Sequence, residues 1–102
     1  MPSFKLKTGS SFEGYVVLEC LGRAAEGEVY QVFDPYSGSE RALKIFFPEL
    51  NFGYVARYAD KLERLRGING ILKYYHGGYW TEYGCHYMVL ELVHGKDLAK
   101  LS

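Results

Sequence analysis

Three segments in the first half of the chain are rich in β-branched and aromatic residues. "GYVVLECLG" ends at Gly22, "GEVYQVFD" starts at Gly27, and "ERALKIFF" ends before Pro48. In the second segment, apolar side chains alternate with a period of two, which is typical of a strand with one buried face. The short connection between Gly22 and Gly27 predicts a hairpin, and the turn-rich stretch "DPYSGS" leads into the third strand.

Between Leu50 and about Arg66, the spacing of apolar residues changes from the period of a strand to that of a helix. At about 100° per residue, one helix face carries the apolar side chains, namely Val55, Tyr58, Ala59, Leu62 and Leu65. This predicts an amphipathic helix that stops at Gly67. Two more strands follow, "GILKYYHGGYW" and "CHYMVLELV", joined by the polar turn "TEYG". The order of elements is β-β-β-α-β-β, an α+β arrangement, before "HGKDLAKL" enters a further helix.

Length and charge narrow the class of protein. The 102 residues suffice for one domain, and 12 basic residues balance 12 acidic ones, which does not favour nucleic acid or an acidic membrane surface as a partner. The sequence has neither the apolar run of a signal peptide nor a membrane-spanning segment, so a cytoplasmic protein is expected. The two cysteines predict reduced thiols, and the ten tyrosines agree with a sheet-rich fold.

Metal and nucleic-acid sites are not expected. His76, Cys85 and His86 fall on one proposed hairpin, but the adjacent pair Cys85 and His86 would face opposite sides of a strand. The aromatic stretch "YYHGGYW" lacks the interleaved basic residues of a base-stacking surface, and sheet packing explains it.

The loop "LGRAAEGEVY" carries the first candidate chemistry. Gly22 and Gly27 stand five positions apart, and Ala24 occupies the place where a third glycine would let the backbone close on a phosphate. Glycines in a tight hairpin more often serve turn geometry than phosphate binding, so both interpretations stay open. Glu26 is expected at a solvated tip, where it would face a triphosphate and weaken its binding by about 0.7 kcal/mol at 6 Å in water.

Lys44 is the second candidate. Because side chains alternate along a strand, Ala42, Lys44 and Phe46 share one face. A lysine there is costly to bury unless its ammonium group has a negative partner, either a phosphate under the loop or a helix carboxylate. The alternative is a lysine at a sheet edge that extends its ammonium group to water.

These segments together resemble the N-terminal lobe of eukaryotic-like, bacterial Hanks-type serine/threonine protein kinases. "LGRAAEGEVY" resembles the glycine-rich loop of these kinases, and "RALKIF" resembles their V-A-I-K strand, which carries the lysine that contacts phosphate. "HYMVLELVHGKDL" resembles the strand that runs into the hinge. The match runs from about Thr8 to Leu101. It implies a five-stranded antiparallel sheet with one packed helix, and a single domain over residues 1–102.

The resemblance also implies ATP as ligand. Leu21, Val29 and Ala42 would enclose the adenine, and the loop amides from Gly22 through Ala24 to Gly27 would cover the phosphates. Lys44 would contact the α- and β-phosphates.

Four further positions complete the implied site. Leu90 would gate the back of the adenine pocket. Glu91 and Val93 would offer backbone groups to the adenine edge, and Asp97 would hold the ribose hydroxyls.

The family also pairs its strand lysine with a helix glutamate. The expected position is Tyr58 or Ala59, neither of which is acidic, so the candidate is Glu63, one turn after Ala59. The other interpretation of Glu63 is a solvated surface charge.

The 102 residues contain neither H-R-D nor D-F-G, the motifs with the family's catalytic base and magnesium ligands. The chain alone is therefore expected to be inactive, with Mg²⁺ bound only in a full kinase. The implied function is the ATP-binding lobe of a kinase acting on protein serine or threonine, with a C-terminal lobe and a protein substrate or regulatory protein as partners. The alternative is a pseudokinase or stand-alone lobe that binds nucleotide or protein.

Overall fold

The computed structural model describes residues 4–65 and 73–92, apart from the side chains of residues 63 and 65. Within these ranges the chain forms six strands and one helix. Their bounds are β1 (Ser11–Phe12), β2 (Tyr15–Ala24), β3 (Gly27–Asp34), β4 (Ser39–Phe46), α1 (Phe52–Leu65), β5 (Tyr74–Trp80) and β6 (Cys85–Glu91).

The strands form one antiparallel sheet in the order β1-β2-β3-β4-β6-β5. This confirms the predicted α+β class, with six strands in place of the expected five. The additional strand is β1, which pairs Ser11 with Val16 and Phe12 with Tyr15. Two residues are too few to show a period in the sequence, although Phe12 is fully part of the core.

The hairpin between β2 and β3 has a two-residue turn, Ala25–Glu26, because Ala24 is paired with Gly27. Gly27 is required by close packing against β4. A Cβ atom at this position would overlap the carbonyl oxygen of Ile45 and would lie 2.9 Å from its carbonyl carbon. No side chain fits there, so the glycine lets β3 and β4 run side by side up to the turn.

The outer face of the sheet carries one of two apolar layers. Its buried residues come from all six described strands: Phe12, Val17, Tyr30, Val32, Leu43, Ile45, Trp80, Cys85, Tyr87 and Val89. The amino-terminal segment, residues 4–6, packs over this layer through Phe4 and Leu6. The centre of the Phe4 ring lies 5.6 Å from that of Phe47 and 5.9 Å from that of Trp80.

A buried carboxylate ties the same amino-terminal segment to the loop hairpin. Glu28 is 3% exposed and accepts hydrogen bonds from the backbone N–H of Phe4 (3.0 Å) and the hydroxyl of Tyr30 (2.8 Å). Arg23, on the opposite strand of the hairpin, donates from Nη1 at 2.8 Å. All three partners donate hydrogen bonds to the Glu28 carboxylate. These bonds offset the cost of removing a charged acid from water.

The inner face of the sheet packs against α1. Asn51 caps this helix, since its Oδ1 accepts from the N–H of Tyr54 at 2.9 Å. Val55, Tyr58 and Leu62 are 7–8% exposed and lie in the second apolar layer with residues of β3, β4 and β6. The predicted helix and its apolar face are thus confirmed over this stretch.

Candidate functional site

The register of the sheet aligns the candidate residues across four strands. Gly22 of β2 is opposite Val29 of β3, Val29 is opposite Lys44 of β4, and Lys44 is opposite Met88 of β6. Residues paired across neighbouring strands present their side chains to the same face. Val29 and Met88 belong to the layer that packs on α1, so Lys44 projects into that inner layer.

Lys44 lies entirely inside the protein. Its side chain is 1% exposed, and its Nζ donates to Oε1 of Glu26 at 2.6 Å and to the hydroxyl of Tyr58 at 3.0 Å. The ammonium group also lies 4.4 Å from the centre of the Tyr58 ring. The interpretation of Lys44 as an edge lysine that reaches water is wrong, because β4 is flanked by β3 and β6.

Glu26 does not occupy a solvated tip, as the sequence suggested. It is 7% exposed and folds back beneath the hairpin to Lys44. Its carbonyl oxygen accepts from the N–H of Phe47 at 2.8 Å, which holds the turn against the end of β4. The physical reason is the buried ammonium group, which must be neutralised by the nearest acid that can reach it.

Ala24 costs the loop no backbone strain. Among the described non-glycine residues, a positive φ occurs at Lys5 and Glu13, and Ala24 has an ordinary extended conformation at the end of β2. A third glycine is therefore not needed for the hairpin itself. The Cβ of Ala24 affects only how closely a ligand approaches the backbone.

Tyr58 stands where the resemblance places a helix glutamate. The position counted from the sequence was Tyr58 or Ala59, and the hydroxyl of Tyr58 is the group of α1 that is seen to reach Lys44. The backbone of Glu63 lies within α1, but its side chain is outside the described part of the structure. The Lys44–Glu63 pair therefore stays a prediction.

Burial shifts the ionisation of both partners in this site. The pKa of Lys44 is lowered because desolvation disfavours the ammonium form, an effect that Glu26 opposes. The pKa of Tyr58 is raised, first by burial and then by the negative charge of Glu26. The tyrosine therefore stays a neutral hydroxyl over the ordinary pH range.

We expect the protein to lose stability as pH rises above about 10, the ordinary pKa of tyrosine. Burial raises the pKa of Tyr30 and Tyr58, so both stay protonated in the folded chain while the unfolded chain releases these protons. The unfolded state then binds fewer protons, and the free energy of unfolding falls by up to about 1.4 kcal/mol per pH unit for each tyrosine. Lys44 opposes this trend, because its lowered pKa favours folding at alkaline pH, but burial also raises the pKa of Tyr15 and Tyr87, so this one lysine acts against four tyrosines.

Urea denaturation at pH 8, 9.5 and 11 measures this effect. Tyr30→Phe should flatten the decline, whereas Tyr36→Phe should not, since Tyr36 is 94% exposed. Equal stability at pH 8 and pH 11 in the unaltered chain would contradict the expectation.

The residues assigned to adenine form a closed surface in this structure. Val29, Ala42 and Leu90 are 1%, 0% and 3% exposed, and Leu21 and Leu92 pack against the same layer. A flat ring can reach these three side chains only if the groups that cover them move aside.

The remaining predicted positions are distributed as follows. Glu91 is exposed at the end of β6, and its N–H donates to the carbonyl of Lys73 at 2.8 Å. Val93 and Asp97 lie outside the described residues, so their roles stay predictions.

Glu26 was not expected from the sequence as the partner of Lys44. The register of the sheet explains the contact: Gly27 is opposite Phe46, so residue 26 lies next to the end of β4. Phe46 and Lys44 are two positions apart and share a face. A flexible acid just past Phe46 is therefore within reach of the buried lysine.

A cavity of about 490 Å³ lies elsewhere, between α1 and the β5–β6 hairpin. Residues of both elements line it, among them Phe52, Val55, Ala59, Tyr79 and Met88. Lys44 and the loop do not contribute to it, so it is separate from the candidate site.

An antiparallel sheet, one helix on its inner face and a buried lysine behind a glycine hairpin define a kinase-like N-terminal lobe. Comparison with solved structures agrees. The kinase domain of Mycobacterium tuberculosis PknI, in its C20A mutant, is 28% identical and superposes with a TM-score of 0.69 over 90% of this chain. The PknI kinase domain without substitutions gives 28% identity and a TM-score of 0.67 over 88%. The resemblance to the N-terminal lobe of Hanks-type kinases is thereby confirmed.

A second kinase domain, that of PF14_0431, has a TM-score of 0.73 over 87% of this chain at 21% identity, which supports the fold alone. No family model and no curated protein matches the sequence. The chain spans 38% of the PknI kinase domain in its C20A form and 27% of the PF14_0431 domain. Over the described ranges, no helix is both long and apolar enough to cross a membrane.

Proposed function

We propose that this chain is the ATP-binding N-terminal lobe of a protein kinase that transfers the γ-phosphoryl group of ATP to protein serine or threonine. Together with a C-terminal lobe it would form the complete active site. Adenine would lie against the inner face of the sheet, next to Val29, Ala42 and Leu90. The Gly22–Gly27 hairpin would cover the phosphates, and the ribose would lie near Asp97.

One observation carries the proposal, namely the cross-strand row that contains Gly22, Val29 and Lys44. It brings the start of the loop, an apolar side chain and a buried cation to one place on one face. A nucleotide needs these three elements in that order, since its base is apolar and its phosphates are anionic. The positive charge of Lys44 suits phosphate oxygens.

The residues of this chain would bind and orient the nucleotide. Lys44 would leave Glu26 and turn toward the α- and β-phosphates, and Glu63 remains the candidate helix partner that would hold it there. Magnesium would neutralise the phosphates when bound, through ligands that are not among the 102 residues. Because the catalytic base is not among them either, we expect no phosphoryl transfer by the chain alone.

A second function rests on a specific observation, the neutralisation of Lys44 by Glu26 within hydrogen-bond distance. A lobe that keeps its lysine paired internally would bind nucleotide weakly. Such a lobe would act as a pseudokinase or as a stand-alone module that contacts protein partners. The reading frame after Ser102 discriminates between the two, since H-R-D and D-F-G motifs there would favour the kinase.

Nucleotide binding is tested by NMR on the ¹⁵N- and methyl-labelled chain of 102 residues. On titration with Mg·ATP to about 10 mM, a concentration suited to weak binding, we expect shifts of the Gly22–Gly27 amides and of the Val29 and Leu90 methyl groups. The double variant Lys44→Met/Glu26→Leu, which removes both members of the buried pair, should reduce the shifts that depend on phosphate and keep those caused by adenine. Absence of shifts on the inner face, or shifts confined to the cavity between α1 and β5–β6, would contradict the proposal.

A further inference from the structure

The contact between Glu26 and Lys44 bears on which ligand this site prefers. The preference inferred from this contact rests on the proposed nucleotide site and refines that proposal. A triphosphate binds through its negative charges, and Lys44 is the cation that the proposal offers to them. That cation already holds a carboxylate at 2.6 Å.

The Glu26 carboxylate therefore stands where a phosphate oxygen would have to stand. Lys44 is 1% exposed and Glu26 is 7% exposed, so the pair is shielded from water and its attraction is only weakly screened. The ammonium group has three protons, of which one is donated to Glu26 and one to Tyr58. A phosphate that replaces Glu26 must leave that acid without its cation, close to its own negative charge.

We propose that Glu26 is a specificity-determining residue, which competes with phosphate for Lys44 and makes the site favour nucleosides and weakly charged nucleotides over triphosphates. Adenosine uses the apolar inner face and leaves the Glu26–Lys44 pair intact. ATP gains the same apolar contacts but must displace Glu26. The hairpin that would cover the phosphates thus also supplies the carboxylate that competes with them for Lys44. The two-residue turn and the hydrogen bond from the Phe47 N–H to the Glu26 carbonyl hold this carboxylate in position.

The second buried acid of the hairpin provides a matched control. Glu28 is 3% exposed and two positions away, but it is held on the outer face by Arg23, Tyr30 and the amino-terminal segment. Both Glu26→Gln and Glu28→Gln remove one negative charge from the same hairpin. Only Glu26→Gln removes it from Lys44, while the amide oxygen can still accept a hydrogen bond from Nζ.

The experiment measures the dissociation constants of adenosine and ATP by NMR titration, for the unaltered chain and both variants. The ¹⁵N spectrum of each variant first shows that it is folded. We expect ATP to bind the unaltered chain no more tightly than adenosine does. In Glu26→Gln the preference for ATP should rise by about threefold if the charges are separated by ~6 Å of water, and by up to about a hundredfold at an effective dielectric constant of 20.

The ratio of the dissociation constants of adenosine and ATP distinguishes failure of the role assigned to Glu26 from failure of the proposed nucleotide site. An unchanged ratio in Glu26→Gln overturns the inference, and so does an equal rise in Glu28→Gln, which would show a general charge effect. If both ligands bind the unaltered chain and ATP is strongly preferred, the nucleotide site stands and the role of Glu26 is refuted. If neither ligand binds any of the three chains, the proposed function itself fails.

Discussion

Replacing Gly27 with alanine should destabilise the chain by about 3 kcal/mol or more, a large part of the 5–15 kcal/mol that stabilises a typical domain. The added Cβ would overlap the carbonyl oxygen of Ile45 and lie 3.0 Å from the Cα of Phe46. Both obstacles are backbone atoms, so no side-chain rotation relieves the clash. Strands β3 and β4 must separate at the end that carries the loop.

Urea denaturation followed by circular dichroism measures this loss, and Gly53→Ala is the matched control. Gly53 lies in the first turn of α1, where an added Cβ meets only the side-chain atoms Asn51 Oδ1 at 3.3 Å and Arg57 Nη1 at 3.5 Å. Alanine suits a helix better than glycine, so this control should stay within about 1 kcal/mol of the unaltered chain. Equal midpoints for the two variants would show that β3 and β4 are not packed as described.

Lys44→Met should destabilise the chain by about 3–5 kcal/mol, because it leaves the buried carboxylate of Glu26 without its cation. The hydroxyl of Tyr58 also loses a donor. The double variant Lys44→Met/Glu26→Leu should recover much of the loss, since replacing both members of a buried pair with apolar groups is often close to neutral. The free energies of unfolding of the two single variants and the double variant complete a double-mutant cycle.

The control for this cycle is the exposed pair Arg64–Asp60, whose side chains are 77% and 58% exposed. Arg64→Met should change the free energy of unfolding by no more than about 0.5 kcal/mol, since water screens such pairs. If Lys44→Met costs as little as Arg64→Met, the Lys44–Glu26 pair is open to water in solution.

The sequence predicted the large elements because each has a period of its own. The alternation in "GEVYQVFD" matches β3 at both ends, and the apolar face of α1 contains Val55, Tyr58 and Leu62 as expected. The strand β1 was missed because Ser11 and Phe12 alone show no period. Its pairing arises from the tight turn at Glu13 and Gly14, both of which have a positive φ.

The sequence predicted which residues of the candidate site share one face of the sheet. It did not predict the ion pair between Lys44 and Glu26. Val29, Ala42 and Lys44 follow from alternation along neighbouring strands, so their common face could be read from the sequence. The side-chain direction of Glu26 could not, because a two-residue turn can point an acid outward or inward. Burial of Lys44 decides between these directions, and burial depends on how β3, β4 and α1 pack together.

The buried acid on the outer face has a practical consequence for experiments on this protein. The N–H of Phe4 donates to Glu28, and Arg23 also donates to Glu28, so these two hydrogen bonds connect the backbone at Phe4 to both strands of the loop hairpin. The backbone at Phe4 is therefore coupled to the loop hairpin. We expect a label attached next to Phe4 to disturb the hairpin, so ligand affinities are best measured with labels placed elsewhere.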